Sequence, residues 1–507
     1  MNEEYKRLQL LIKEAEDNAP NDDECLYRNS FHISPPTGWL NDPNGLCQMD
    51  GEYHLFFQYS PLDARGGMKA WGHYVTKDFV NVTYLGAPFV PDKDFDRNGV
   101  YSGSSFVDEE GMHIFYTGNV KLPGEYDYTY SGRRADTILV ESKDGRTFTD
   151  KKVVIDTDEY PDGFSCHIRD PKVWRQGDSY YMVLGARTIN DEGRILVYRS
   201  SDMFKWTLTE IIGSHEKFGY MWECPDYFAL DNMHVISFSP QGLETCELRY
   251  QNIYQSGYII DECNSLDKDF SFSNINDIEA SGENAPKRFI LDESSFEEWD
   301  MGFDFYAPQT FLDENGRRIL IGWAGVSDAE YSNLEVETEK RQHCFTVPRI
   351  LNIKVGVDGK NKVFQTPISE IDNLRIGDGI IIKPKSAFIS DTGLMDILCD
   401  NLPDVFSVNI GDGVYFSYDG ELISLELNNK CGLGRKLRKA KLSKINSIRI
   451  LVDSSIIEYY INDGEIVFTT RFYKNEQRVK AFFDMDEADI TIYQMKSMTM
   501  NWSGGLL

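Results

Sequence analysis

The chain has no uninterrupted apolar run of about 18 residues, so nothing in it reads as a membrane-spanning helix. Its first stretch, MNEEYKRLQLLIKEAEDNAPNDDE, lacks the apolar centre of a signal peptide. It mixes charges with short apolar steps and reads as a short amphipathic helix within residues 1–26. Cysteine is sparse: nine residues, scattered, with no CxxC pair. That removes a disulfide framework and the usual spacing of a zinc site, and it suits reduced thiols. No metal and no other cofactor is expected. Positive charge is short as well, with 52 Lys plus Arg against 82 Asp plus Glu, a formal net charge of −30. Such a surface repels phosphate backbones and anionic lipid, which argues against nucleic acid and membrane partners. A small, locally recognised substrate remains.

What is present is enough apolar material, 41% hydrophobic and 13% aromatic, to build cores in a chain of 507 residues, long enough for two or more domains. Five segments repeat one pattern: LCQMDGEYHLFFQYSP from 46, SFVDEEGMHIFYTGNV from 105, KVWRQGDSYYMVLGAR from 172, YFALDNMHVISFSP from 227 and TFLDENGRRILIGWAG from 310. Each is an apolar run, a turn at Gly51, Gly111, Gly177, Asn232 or Gly316, and a second apolar run, which is a β-hairpin. A second motif, TKDFVNV, SKDGRTF and SSDMFKW, falls between them in step, with SLDKDFSF from 265 as a looser fourth copy. Repeats of this length suit propeller blades, so a five-bladed β-propeller is expected over 27–355. A two-sheet sandwich with chance echoes is the rival. The repeats stop there. VGVDGKNK and RIGDGIIIKPK read as a linker at 356–379. The alternating tail with its NDG turn reads as a C-terminal β-sandwich at 380–507, whose expected role is structural, shielding the propeller edge or mediating homo-oligomer formation.

The repeat also places acids. Asp42, Ser102, Glu223 and Ala307 stand nine residues before their turn residues and Asp170 seven before. Three of five copies thus carry a carboxylate near one strand position, and in a propeller such positions surround the axis. Proline follows each closely: Asp42-Pro43, Asp170-Pro171 and Glu223-Cys224-Pro225. WLNDPNG itself reads as a turn, with Asn44-Gly45 suited to positive φ. Two carboxylates converging in a pocket are the minimum equipment for glycoside hydrolysis, one ionised and one holding a proton. Asp42 suits the nucleophile and Glu223, between Trp222 and Cys224, the acid.

In order along the chain, WLNDPNG, IRDP and WECPD make it similar to glycoside hydrolase family 32, the invertase, sucrose-6-phosphate hydrolase and β-fructofuranosidase group. The resemblance runs from HISPPTGWLNDPNG at 32 to VDSSIIEYYINDGEIVFTTRFY at 452. It implies a five-bladed propeller followed by a β-sandwich, and hydrolysis with retention. Asp42 would be the nucleophile, Glu223 the acid/base, and Asp170 the acid that binds fructose hydroxyls. It also implies substrate-binding roles for Asn41, Gln58, Trp71, Ser102, Arg169 and Trp323, with GFDFYAPQTF from 302 as part of the pocket wall. The departures are small: WL stands for the commoner WM, and YSGS for FSGS.

The expected substrate is a small sugar carrying a terminal β-D-fructofuranosyl unit: sucrose, sucrose 6-phosphate or a short fructooligosaccharide. An exo-acting fructanase on inulin or levan is the enzyme alternative, and a non-catalytic sugar-binding propeller the alternative from another class; the presence of all three acids argues against the latter. The N-terminal stretch favours a cytoplasmic protein. Telling sucrose from its 6-phosphate needs a basic contact beside the leaving glucose. Arg133 and Arg134 in SGRRADT are the candidate pair, although exposed arginines are commonly just solvated.

Overall fold

The computed structural model describes residues 2–21, 24–261 and 286–502. Five sheets follow one another along the chain, each opening with an inner strand: Gly38–Met49, Val100–Asp108, Phe164–Gln176, Met221–Leu230 and Tyr306–Leu312. Successive inner strands touch, and the fifth packs against the first, so the ring closes as a five-bladed propeller. In every blade the hairpin read from the sequence joins the first two strands. The first turns through Asp50 and Gly51 and the fourth through Asp231 and Asn232. Both pairs have positive φ, as a two-residue hairpin matched to strand twist requires.

Both faces of a blade lie against neighbours, which is why the strands read as nearly continuous apolar runs. Phe56, Trp71, Phe89 and Tyr116 fill one interblade layer, and Trp222, Ile195, Phe238 and Phe296 another. The second sequence motif is the turn between the third and fourth strands of a blade. Thr76, Ser142 and Ser200 accept from the backbone N–H three residues on, and Asp78, Asp144 and Asp202 do the same. Their carboxyls are held below the usual range: at Asp78 burial opposes this and the Asn81 side chain leads the hydrogen bonds that win, while backbone N–H groups dominate at Asp202 and at Asp144, which lies at about 2. SLDKDFSF from 265 lies outside the described residues.

Two expectations change. WLNDPNG is no turn: residues 38–49 are one strand with two irregularities, at Asn41-Asp42 and at Gly45-Leu46. Gly45 (φ +52) supplies the left-handed residue that opens a bulge, which in sequence looks the same as a turn glycine. The stretch 356–379 is not a linker either. Its Gly-rich start is a hairpin turn leading into Asn361–Pro367, which completes the fifth blade. RIGDGIII is a bulged edge strand, Arg375–Ile382, of the second domain. Glycines that serve turns and bulges cannot be told from linker glycines by composition alone.

Two six-stranded sheets then face each other as a sandwich over a core that includes Ile397, Phe416, Leu425, Ile450, Tyr459 and Phe468. The last described strand, Thr499–Trp502, leaves it and pairs in parallel with Asn81–Tyr84 on the rim of the first blade. Helix Glu3–Asp17 is capped by Asn2 and packs Leu8 and Ile12, one turn apart, into the core shared with the first and fifth blades. Among the described residues no helix is long and apolar enough to cross a membrane.

The two domains are joined by buried charge. Asp453 of the sandwich accepts from the backbone N–H groups of Ser30 (2.8 Å), Phe31 (2.9 Å) and His32 (3.1 Å), and its carboxylate meets His32 Nδ1 at 2.9 Å. His32 Nε2 lies 2.9 Å from Glu458, which also accepts from Arg349. Arg435 clasps Asp304 at 2.7 Å on both oxygens, and Arg471 reaches Glu335 at 2.5 Å. Burial disfavours the His32 imidazolium, but the two carboxylates outweigh it and raise its pKa. Burial likewise opposes ionisation of Asp453 and Glu458, yet Arg349, His32 and their hydrogen bonds win, holding Glu458 at about 2.

The histidine's contribution is complete below its unfolded pKa of about 6.5 and is lost as pH rises through the higher folded value. The carboxylates' contribution is complete above about 4 and is lost on acidification. The clamp is therefore strongest between about pH 4.5 and 6.5. Asp453→Ala, which leaves the backbone N–H groups of Ser30, Phe31, His32 and Ser454 and the His32 Nδ1–H without their acceptor, is expected to cost about 3–5 kcal/mol in urea unfolding. His32→Gln should flatten the fall of melting temperature from pH 6 to pH 9, and an unchanged pH profile would rule the clamp out.

Candidate active site

Each inner strand is interrupted at the same level of the ring. In the first, Leu40 pairs with Tyr59 and Pro43 with Phe57, so Asn41 and Asp42 together face Gln58. The same two-against-one bulge leaves out Tyr101-Ser102, Asp170-Pro171, Cys224-Pro225 and Ala307-Pro308 in the other four. A bulge breaks the ladder and re-aims side chains. Proline in three of them has no N–H to leave unpaired. Asp170, Cys224 and Ala307 each adopt φ between +47° and +62°, a conformation costing a non-glycine residue about 1 kcal/mol or more.

The three carboxylates do not share one strand position, as the repeat count suggested. Glu223 is the residue before its bulge, Asp170 the first residue of the bulge and Asp42 the second. The extra bulge at Gly45 and hairpin loops of different length had shifted the count.

The bulged residues and their neighbours reach across to other blades. Ser102 of the second blade donates to Asp42 Oδ2, and Asn41 Nδ2 donates to Oδ1 at 3.0 Å. Asn41 is itself fixed: Nδ2 also donates to Gln58 Oε1 (2.6 Å), and its Oδ1 accepts from Trp39 Nε1 and Lys69 Nζ, both at 3.0 Å. Burial raises the Asp42 pKa, and the negative charge of Glu223 adds to it, against the Ser102 and Asn41 hydrogen bonds. Burial lowers Lys69 to about 8.

Glu223 is surrounded by donors from three strands. Arg169 Nε of the third blade reaches Oε1 at 3.0 Å, while Gln241 Nε2 (2.8 Å) and Tyr306 OH of the fifth blade (2.7 Å) reach Oε2. Asp170 Oδ2 accepts from the Cys224 backbone N–H at 3.0 Å. It is 5% exposed, and its pKa is pushed up to about 7: burial is the main cause, Glu223 and Asp42 add repulsion, and Arg169 opposes. Gly185 makes this approach feasible, because a Cβ there would sit 2.1 Å from the Trp222 carbonyl oxygen.

The structure therefore brings Asn41, Gln58, Ser102 and Arg169 to the acids. Trp71 and Trp323 stand behind them, 0% and 1% exposed. Trp71 Nε1 donates to the Tyr101 carbonyl at 3.1 Å, steadying the backbone beside Ser102, and Trp323 packs on Trp39, His343 and Tyr306. Gln241, Lys69 and Gly185 were not singled out by sequence, while Trp39 and Tyr306 lay within WLNDPNG and GFDFYAPQTF without a role of their own. Tyr306 had a signal, since it holds the place in its blade that Glu223 holds in the fourth. The others lie on strands or loops whose sequence gives no such register. A cavity of about 860 Å³ at the opposite, hairpin end of the ring is lined by Met49, Phe106, Trp174 and Phe311 and is remote from the acids.

A carboxyl whose folded pKa is raised from about 4 to about 7 destabilises the fold progressively over that interval and fully above it. Asp170→Asn keeps an acceptor for Cys224 and removes the charge. It should raise the melting temperature at pH 8 by about 2–4 °C, with the gain vanishing near pH 4; an equal gain at both pH values would refute this account.

The profile described as the glycosyl hydrolases family 32 N-terminal domain matches residues 32–367, and that of the family 32 C terminal matches 414–497. The chain is 35% identical over 475 residues to a sucrose-6-phosphate hydrolase of Bacillus subtilis (strain 168), covering 91% of this chain and 92% of that one. It is 31% identical over 458 residues to a raffinose invertase of Escherichia coli, covering 87% and 89%. Among solved structures, a mutant of the Bombyx mori GH32 beta-fructofuranosidase in complex with sucrose aligns with TM-score 0.80 and 28% identity over 98% of this chain and 100% of that one. The sucrose-6-phosphate hydrolase of Lactobacillus gasseri aligns with TM-score 0.81 and 27% identity, covering 96% of each.

Proposed function

The chain belongs to glycoside hydrolase family 32, and from that premise we propose a retaining β-fructofuranosidase that splits sucrose and sucrose 6-phosphate through a fructosyl–Asp42 ester. The observation that carries the reading is the pairing of Asp42 and Glu223 at one funnel with different sets of donors. Ser102 and Asn41 orient the Asp42 carboxylate towards C2 of the fructosyl unit. As the C2–O bond breaks, Glu223 gives its proton to the leaving oxygen and Asp42 forms the ester. Glu223, now a base, takes a proton from water; the hydroxide displaces Asp42 from C2 and fructose leaves. Arg169, Gln241 and Tyr306 fix the Glu223 carboxyl in both protonation states. Asp170 accepts fructose hydroxyls and steadies positive charge at C2, while Gln58 holds Asn41, and Trp71 and Trp323 back the pocket.

The domain division follows: a helical segment, a propeller carrying the chemistry, and a sandwich that supports it. We place the reaction in the cytoplasm, a compartment that keeps free thiols such as those of Cys47, Cys224, Cys344 and Cys399 reduced. Copies of the chain associate through the sandwich edge, where Ile376, Ile380, Ile381 and Ile389 are exposed on two edge strands. No nucleic acid or membrane takes part.

Sucrose, sucrose 6-phosphate, kestose, inulin and levan, offered separately while fructose release is followed, test the reading. The first two are expected to be the best substrates. Asp42→Asn and Glu223→Gln should each lose at least about 10²-fold in kcat; near-wild-type turnover in either variant, or no fructose from either of the first two sugars, would overturn it.

A further inference from the structure

The paired arginines of SGRRADT separate in the structure. Arg134 is committed: its guanidinium lies 2.6 Å from Asp156, 3.1 Å from Asp158 and 3.5 Å from Asp136. Arg133 is not. It has no ion pair among the described residues, is only partly exposed, and its Nε is buried without a hydrogen-bond partner. In a chain of net charge −30, a half-buried cation left without a carboxylate is unusual, because a buried donor that loses water without gaining an acceptor carries a desolvation cost.

Its place in the fold gives the cost a use. Arg133 begins the third strand of the second blade, at the same end of the ring as Asp42 and Glu223, just after the loop 122–132. That loop is docked on the third blade beside Arg169: the Cys166 N–H donates to the Thr129 carbonyl at 2.8 Å, and His167 Nε2 lies 3.2 Å from the Tyr128 carbonyl. The Arg133 guanidinium is within electrostatic reach of Arg169 and of Tyr101, which is next to Ser102. Arg133 thus belongs to the blade whose Ser102 supports Asp42, and the loop before it docks on the blade whose Arg169 holds Glu223. Arg169 is engaged by Glu223 at 2.5 Å and lies 4.0 Å from Asp170, and Arg187 is paired with Asp191 at 2.7 Å. Of these three arginines, Arg133 alone has no ion pair among the described residues. His167, between them, is kept neutral by burial and by the positive charge of Arg169 and Arg133, so it adds no competing cation.

We propose that Arg133 is the specificity residue for a phosphomonoester on the leaving sugar, receiving the 6-phosphate of sucrose 6-phosphate as Glu223 protonates the glycosidic oxygen. The inference rests on the function proposed above. A guanidinium presents a planar fork that fits two phosphate oxygens, and it stays charged at every working pH. The negative surface of the rest of the chain makes this local cation the feature that lets a phosphorylated sugar compete with its neutral counterpart.

The test compares kcat/KM for sucrose and for sucrose 6-phosphate in the wild type, Arg133→Ala, Arg133→Lys and, as a control, Arg134→Ala. In Arg133→Ala the ratio of the phosphorylated to the neutral substrate should fall at least about tenfold, through KM, the scale of one lost charge-assisted contact. Arg133→Lys should recover part of it, and Arg134→Ala should leave it in place. Glucose 6-phosphate should inhibit the wild type more strongly than glucose does, and Arg133→Ala should erase that difference. An unchanged ratio in Arg133→Ala with wild-type inhibition by glucose 6-phosphate overturns the proposal. Failure of the wild type to release fructose from either sugar instead overturns the underlying reading, so the two failures are distinguishable.

Discussion

Three carboxyl groups held close together in one poorly hydrated funnel repel one another, and the architecture of the ring is arranged around that repulsion. Arg169 is the counter-charge at its centre: it bonds Glu223 and lies 4.0 Å from Asp170. Each acid is held by groups from another blade, Asp42 by Ser102, Glu223 by Arg169 and Tyr306, and Asp170 by the Cys224 backbone. The site is therefore a property of the closed ring and of no single blade. The bulges and the left-handed backbone at Asp170, Cys224 and Ala307 are local departures from good strand geometry, and they cluster where the chemistry is. A protein assembled for stability alone would place apolar residues there.

The sandwich reaches the same site indirectly. Arg435 grips Asp304, two residues ahead of Tyr306, and the phenol of Tyr306 is one of the donors that fixes Glu223. Arg349 spans Asp300 and Glu458, and Asp453 gathers the backbone just before the first blade. Both ends of the blade ring are thus pinned by the second domain. Burying these ions is costly, and what the cost returns is a fixed angle between the domains and hence a fixed inner strand in the fifth blade.

Much of this was legible in the sequence, for reasons that are local. Hairpin turns announce themselves through Gly51, Gly177 and Asn232, and five of them in series give the ring. WLNDPNG, IRDP and WECPD carry the acids because each motif holds the backbone chemistry of a bulge next to an ionisable group. Illegible were the features that depend on register. The bulges moved Asp42, Asp170 and Glu223 to three successive positions, Gly45 resembled a turn residue, and the turn at 356–360 resembled a linker. The identical appearance of Arg133 and Arg134 concealed opposite environments, since only folding brings Asp156 and Asp158 to one of them.

The strand Thr499–Trp502, lying along Asn81–Tyr84, has a consequence for how the protein is made. More than four hundred residues separate the two partners, so the first blade to leave the ribosome keeps an open outer edge until residue 502 has been synthesised. Contacts this distant along the chain are slow to form and leave sticky backbone exposed meanwhile. The short, polar-interrupted sequence NVTY on that edge, with Asn81 exposed and Thr83 only half-buried, is a poor template for stray pairing while it waits. The propeller's first blade is thus sealed by a strand more than four hundred residues downstream, and synthesis must pass residue 502 before that edge is covered.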